Sequence, residues 1–483
     1  MTLRWVANKQ METGEAQNTP VRFIPVTTGE ETSRLSSVAF FLLCTIPCLS
    51  AVLFGGVDNG TWILISAISL IVFLIWLAEE WNADAFLINT SALQLSIIGL
   101  ILIGIIQVMP LGSDVSAGVL AVPVAKTLSL EPYATRLFLA ELVLYLVFFA
   151  ACLVFINNER RLKKAVWLLV IFGALMAFFG ILQRIANTDG IYGLRATPQA
   201  IPFGPFVNQH HFAAIMEMTG GGAIALLVGR STGRDKRLLL GIAVSLMGVA
   251  LVLTSSRGGM IGAAAVVTFI LVLKVFSRKK SGRAVEASAD RSDPKAKIIM
   301  AVSAAALILV VVGTVILVGG GDSLLRGVGI GGVQSDISNG RAHFWPVALK
   351  IFLAHPILGA GLDAFGTAYT KYDTWNGTFR VEQAHNEYLQ TLADAGVVGF
   401  FCITSYIYFL FRKGLAVIAE TSEGFRRNAA IGALAGCFGV LVHSFFDFPL
   451  RTPSNAFFFL LLSVVATVAL KPDERSHGQR HHK

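Results

Sequence analysis

The sequence predicts an all-α integral membrane protein of about twelve transmembrane helices, on three observations. Hydrophobic residues make up 54% of the 483 residues and charged residues only 14%, against about 25% charged in an ordinary soluble domain. The apolar residues come in blocks of roughly 18 to 25, each long enough at ~1.5 Å per residue to cross a ~30 Å hydrocarbon core. Basic residues gather between the blocks, so the excess of Lys+Arg 39 over Asp+Glu 30 reads as membrane topology and not as nucleic-acid binding. The ~10-residue alternating segments of a transmembrane barrel do not fit these blocks.

In chain order the blocks fall at 36–55, 61–79, 91–109, 134–156, 164–183, 211–229, 238–254, 258–276, 298–318, 396–411, 428–447 and 454–470. Residues 1–35 form a polar tail without the cleavage signature of a secretory signal, and 471–483 a second tail. Arg160, Arg161, Lys163 and Lys164 form one basic cluster, and Arg230, Arg234, Lys236 and Arg237 another. Lys274 to Lys297 and the group Arg412, Lys413, Arg426 and Arg427 fall on the same side. The positive-inside rule makes that side cytoplasmic. Both termini are then cytoplasmic, residues 36–318 carry spans one to nine, 396–470 carry spans ten to twelve, and the long segment 319–395 lies outside. No fixed-period repeat is visible, which disfavours a parallel-repeat transporter. Residues 278–297 read as a charged linker. Cys44, Cys48, Cys152, Cys402 and Cys437 lie inside apolar blocks, with neither disulfide nor zinc-ligand placement.

Arginines on the outer side run against the topology signal and need a reason. Arg195, Arg257, Arg341 and Arg451 qualify. A planar fork of donors suits phosphate oxygens, so these four point to an anionic, phosphorylated ligand, with lipid phosphate as the plainer occupant. Within the outer segment, Trp345, Ala348, Leu349, Phe352 and Leu353 follow helical spacing and predict an amphipathic helix, either packed on the bundle or lining a lipid access groove. His355-Pro356 ends it, and Gly359 and Gly361 make a turn. Further on, Ala384-His385-Asn386-Glu387 leads into span ten. A histidine there can be neutral near pH 7, since its ordinary pKa is ~6.5, and accept a proton from a hydroxyl. His385 is therefore the candidate general base, with Glu382 and Glu387 near enough in sequence to orient it. Glu217 is an acid inside span six, seven residues after His210 and on its face, and His443 and Asp447 are spaced to pair on span eleven.

Other motifs are set aside. Gly327, Gly329 and Gly332 satisfy G-x-G-x-x-G without a preceding strand, so no dinucleotide site is expected. Phosphate-loop, H-E-x-x-H and Asp-x-Asp signatures are absent from the sequence. Gly258 and Gly262 form a small-xxx-small pair suited to helix packing.

Five stretches, in this order, resemble the O-antigen ligase and O-antigen polymerase family. They are Gly204-Pro205-Phe206-Val207-Asn208 with His211-Phe212-Ala213; Thr254-Ser255-Ser256-Arg257-Gly258-Gly259; Gly340-Arg341 with Trp345, His355-Pro356 and Gly359-Ala360-Gly361; Ala384 to Gln390 with Gly396; and His443 to Pro449 with Pro453, Asn455 and Ala456. The resemblance implies a twelve-span bundle of the glycosyltransferase C type in a bacterial inner membrane. It further implies an undecaprenyl-diphosphate-linked glycan donor, a glycan or lipid-linked acceptor, membrane lipid as a partner, a chain-length regulator as a further partner, and no metal or other cofactor. Arg257 and Arg341 would hold the diphosphate, His385 would deprotonate the acceptor hydroxyl, and transfer would invert the anomeric centre. Asn208, His211, Glu217, Asn386, His443, Asp447, Arg195 and Arg451 would face the substrates. The chain departs from the family at His210, where Asn is common, and at Arg451, where His is common.

Polymerase and ligase share these motifs, and nothing marks a lipid A core acceptor, which favours O-antigen, capsule or exopolysaccharide polymerisation. The alternatives are a polyprenyl-linked glycan transporter and a protein O-oligosaccharyltransferase. A transporter needs charges on a path between both faces, whereas these gather at one.

Overall fold

The computed structural model describes residues 2–6, 24–25, 33–82, 85–89, 91–115, 123–186, 190–197, 200–282, 340–375 and 381–470. The protein is an all-α integral membrane protein. Its helices are α1 (Arg34–Val52), α2 (Asn59–Asn82), α3 (Ala92–Val108), α4 (Pro132–Phe155), α5 (Glu159–Ala186), α6 (Gln209–Gly229), α7 (Arg234–Leu253) and α8 (Arg257–Gly282), followed by α9 (Arg341–Ala354), α10 (Phe365–Tyr372), α11 (Glu387–Glu420), α12 (Phe425–His443) and α13 (Pro453–Thr467). Eleven of these coincide with expected spans. Among the described residues nine are long and apolar enough to cross a membrane, and α3 and α13 are shorter apolar helices. The expected span at 298–318 lies outside the described residues. Two antiparallel pairings sit in the connections: β1 (Thr2–Val6) pairs with β2 (Ile24–Pro25) and β3 (Ala85–Asn89), and β4 (Gly112–Val115) with β5 (Pro123–Lys126). The first places the N-terminal segment beside the α2–α3 connection, as an even number of crossings requires.

Helix ends follow local chemistry. Ser33 caps α1 by accepting from the Ser36 amide at 3.0 Å, Asn208 and Asn386 cap α6 and α11, and prolines open α4 and α13, where the missing N–H costs nothing. Two span edges differ from expectation. α11 begins at Glu387, not 396, and breaks at Gly396 (φ 63, ψ −163), a conformation open essentially only to glycine. α12 ends at His443, so Asp447 lies in the turn beyond it.

α12 and α6 form the buried centre. Without a hydrophobic drive between helices in lipid, close packing has to supply the association. A Cβ on Gly221 of α6 would lie 2.8 Å from the Gly432 carbonyl and 2.9 Å from the Gly436 amide, so these glycines let the backbones meet. Gly262 of α8 likewise faces the Gly439 carbonyl at 2.9 Å, in keeping with the packing role read for Gly258 and Gly262.

Beyond the bundle, α9, α10 and the start of α11 share a small core of Val347, Ile351, Phe365, Tyr369, Val381 and Ala393. The expected apolar stripe of α9 divides. Ala348 joins this core beside Val347, while Leu349 and Leu353 stay 45% and 66% exposed, because the module buries one face only. The turn at 355–363 is docked on the bundle by buried Gln107 of α3. Its Nε2 donates to the Leu358 and Asp394 carbonyls at 2.5 and 2.9 Å, and its Oε1 accepts from the Leu362 amide at 2.8 Å. Backbone bonds between the turn and α11 complete the lock: the Ala360 amide donates to the Ala393 carbonyl, and the Val397 amide to the Pro356 carbonyl. A buried backbone must be paired in this way.

Gly396→Ala puts a side chain against the Ile357 carbonyl in a conformation that non-glycine residues avoid. It is expected to cost about 1–3 kcal/mol and lower the thermal unfolding midpoint in detergent micelles; an unchanged midpoint would mean that the break is not needed.

Candidate active site

His385 sits at the lip of the bundle, where the outer module meets α11. Its neighbours fix it: the Glu387 amide donates to the Ser444 carbonyl at 3.0 Å, the Tyr388 hydroxyl to that of Leu441 at 2.7 Å, and Asn386 Oδ1 accepts from the Tyr388 and Leu389 amides, each at 3.1 Å. Its own backbone is in the left-handed region (φ 51), an uncommon conformation away from glycine that clusters at functional positions. The imidazole lies between the Phe344 and Phe448 rings with 32% of its side chain exposed. Nδ1 is 3.1 Å from Asp447 Oδ1, which also accepts from the Phe448 amide at 2.9 Å. Burial alone would raise the Asp447 carboxyl, but His210, His385 and His211 outweigh it and hold it well below the usual carboxylate range. An ionised Asp447 accepts a hydrogen bond from the Nδ1–H of His385, which keeps the proton on Nδ1 and leaves the Nε2 lone pair free to accept one. The orienting carboxylate is thus Asp447, not Glu382 or Glu387, and Glu387 instead serves Arg451.

Around the pair, His210 Nδ1 is 2.8 Å from Ser256 Oγ and 3.9 Å from Asp447 Oδ2. Ser256 Oγ also accepts from the Gly259 amide at 3.0 Å, capping α8. Ser255 bends the chain (φ 55) and delivers Arg257 to the first position of α8. Gly340 (φ 82) does the same for Arg341 at the start of α9. Arg341 is lowered from its ordinary value by burial, with Asp447 opposing and Arg257 adding to it, so Arg341 lies within electrostatic reach of both. A guanidinium group offers a planar fork of donors suited to phosphate oxygens.

The remaining candidates divide by what already holds them. His443 pairs with Glu217, Nδ1 to Oε1 at 2.7 Å, with both side chains fully buried. The expected partnership with Asp447 fails because α12 stops at His443 and the chain turns away. Gly258 of α8 lies against the His443 ring and Gly262 against the Glu217 carboxylate. His211 Nδ1 meets Thr452 Oγ1 at 2.5 Å, and its carbonyl accepts from Asn455 Nδ2 at 3.0 Å. Asn208 and Asn386 spend their side-chain oxygens as caps. All three thus also serve as structural ties.

Two of the four arginines are also tied. Arg195 NH1 meets Asp58 Oδ2 at 2.5 Å and its guanidinium lies over the Phe54 ring, joining two connections. Arg451 is clamped by three carboxylates, Asp394 Oδ2 at 2.7 Å, Asp363 Oδ1 at 3.1 Å and Glu387 Oε2 at 3.4 Å. Burial opposes the Arg451 charge, and Asp394, Glu387 and Asp363 overcome it and raise its pKa. Arg195 and Arg451 are thus held by carboxylates, while Arg257 and Arg341 stand at the starts of α8 and α9. Beyond the clamp lies an apolar cavity of about 200 Å³ bounded by Leu100, Phe138, Leu142, Ile403 and Tyr406; His385, Arg257 and Arg341 do not line it. Among the described residues no group of three or more His, Cys, Asp or Glu is arranged to hold a metal ion.

His210, Ser256, Gln107, Asp363 and Asp394 were not singled out as site residues from sequence. His210 was marked as a departure from the family, and a serine just before the α8 block could have signalled a helix cap.

Arg451→Met is expected to destabilise the protein by about 3–5 kcal/mol, because buried carboxylates lose their partner. Arg195→Met, whose Asp58 partner is 41% exposed, is expected to cost at most about 1 kcal/mol. Thermal unfolding of the two variants in the same detergent compares them directly.

A comparison with curated proteins gives no match. Residues 242–404, about a third of the chain and the stretch that carries Arg257, Arg341 and His385, are similar to a family model described as O-Antigen ligase.

Proposed function

We propose that the protein is an inverting glycosyltransferase that polymerises or ligates a polyprenyl-diphosphate-linked oligosaccharide at the outer leaflet of a bacterial inner membrane, with His385 as general base. The observation that carries this reading is the Asp447–His385 pair beside Arg257 and Arg341. In this reading Nε2 of His385 takes the proton of an acceptor hydroxyl as its oxygen bonds to the anomeric carbon of the donor. The bond from that carbon to the diphosphate oxygen breaks on the opposite face. Its electron pair leaves with the diphosphate, whose charge Arg257 and Arg341 stabilise in a setting that water screens poorly. Asp447 stabilises the imidazolium that forms, as a buried carboxylate does for a histidine base. The proton then passes from His385 to solvent at the open side of the ring.

The acceptor decides between polymerase and ligase. Absence of any mark of a lipid A core acceptor in the sequence favours polymerisation of O-antigen, capsule or exopolysaccharide units. Membrane lipid and a chain-length regulator are the further partners of this reading. A flippase would need charged groups on a path between both faces. His385, Asp447, Arg257 and Arg341 stand next to helix ends, at the start of α11, the end of α12 and the starts of α8 and α9, which supports transfer over transport.

The test is release of undecaprenyl diphosphate from a lipid-linked oligosaccharide by the purified protein in liposomes. His385→Ala is expected to lower the rate by about 10²–10⁴-fold, the worth of a general base. Arg257→Ala and Arg341→Ala should each lower it by about 10²–10³-fold, the worth of one electrostatic donor. A ladder of products identifies a polymerase and a single transferred unit a ligase. Movement of the lipid between leaflets without release would replace this reading with the transporter.

A further inference from the structure

The outer module carries an aromatic and carboxylate surface to which the transfer step gives no part. His343, in the first turn of α9, lies flat on the Trp375 indole, with ring centroids 4.1 Å and planes 8° apart. His343 Nε2 is 2.7 Å from Asp373 Oδ1, and the same oxygen accepts from the Trp375 amide at 3.0 Å. These contacts orient the carboxylate and, since an ionised carboxylate has about four acceptor positions, leave capacity over. The hydrogen bond from His343, helped by the Trp375 amide, holds Asp373 below the usual carboxylate range and so keeps it charged. Trp375 is 47% exposed although His343 covers one face. Phe344 links this surface to the base: its ring centroid is 5.8 Å from that of Trp375 and 6.0 Å from that of His385.

A pyranose ring presents a face of C–H bonds and a rim of hydroxyls. An aromatic face of fixed orientation, bordered by an oriented acceptor, matches both, and a rigid ring loses little entropy in offering it. We propose that Trp375 and Asp373 form a sugar-binding subsite that seats a pyranose ring of the acceptor glycan next to the residue whose hydroxyl His385 deprotonates. Trp375 supplies the stacking face and Asp373 accepts from a ring hydroxyl. His343 is a positioning residue, backing the indole and turning the carboxylate. The acceptor is the assigned ligand because the surface connects through Phe344 to the base. The assignment rests on the transfer reading for its place in the reaction; the binding itself does not depend on turnover.

The experiment uses the full chain in nanodiscs, with the lipid-free oligosaccharide cleaved from the donor lipid as the probe. Binding is followed by saturation-transfer NMR and titration, and the acceptor KM and kcat are measured on the same preparations. Trp375→Leu is expected to weaken binding and raise the acceptor KM about tenfold, with kcat within about twofold, a tenfold change being about 1.4 kcal/mol. Trp375→Phe keeps an aromatic face and should stay within about threefold. Asp373→Asn, which preserves shape, should weaken binding about threefold or more. Trp81→Leu, at an 85% exposed position at the end of α2, should change nothing. Wild-type binding unaltered by both Trp375→Leu and Asp373→Asn overturns the subsite and leaves the transfer reading standing, as does a wild type that turns over without binding the probe. A wild type that binds the oligosaccharide through Trp375 but releases no polyprenyl diphosphate overturns the transfer reading and retains the subsite.

Discussion

The clamp on Arg451 is the interaction on which the site depends. One guanidinium gathers Asp363 from the outer module and Glu387 and Asp394 from the top of α11, and it stands four residues beyond Asp447. Asp394 is fully buried and Arg451 and Glu387 nearly so, and such charges are costly alone, so the module, the helix and the turn are held together as one piece. With that piece in place, the Glu387 amide meets the Ser444 carbonyl and His385 meets Asp447. A side chain that stays partly exposed, as His385 does, is fixed here through buried partners.

A division of labour among the polar groups follows. The tied groups, Arg195, Arg451, Asn208, Asn386 and His211, satisfy caps, carboxylates and carbonyls. The groups proposed to carry the chemistry, His385, Arg257 and Arg341, stand at chain positions made by unusual backbone: a left-handed histidine, the residue two after left-handed Ser255, and the residue after left-handed Gly340. Strain of this kind is kept only where the surroundings over-determine it, and the Gln107 lock, the asparagine caps and the clamp supply that over-determination.

Much of the fold was legible because hydrocarbon thickness imposes a length on each apolar block. Eleven expected spans have helices with edges displaced by a few residues. The edges that moved most are those of α11, at 387 and 420 against 396 and 411, because the helix continues across the break at Gly396 and beyond the apolar block, which hydropathy does not register. The site was legible in part. His385, Arg257 and Arg341 stood out as ionisable residues at span ends, and Asp447 was marked as a partner but for His443 in place of His385. Pairing across helices, such as Glu217 with His443 or Arg451 with Asp394, depends on which helix faces which, and periodicity along one helix carries no such information. Gln107 was silent for the same reason: a single amide in an apolar run gives no hint that a distant turn will need it.

The central claim is that Asp447 sets the proton position on His385. Nitrogen-15 spectra of histidine-labelled protein in bilayers near pH 8, with His385 assigned by its loss in His385→Gln, report that position directly. The account predicts a neutral His385 protonated at Nδ1 in the wild type, and loss of that preference in Asp447→Asn. An Nε2-protonated His385 in the wild type, or a tautomer indifferent to residue 447, would contradict it.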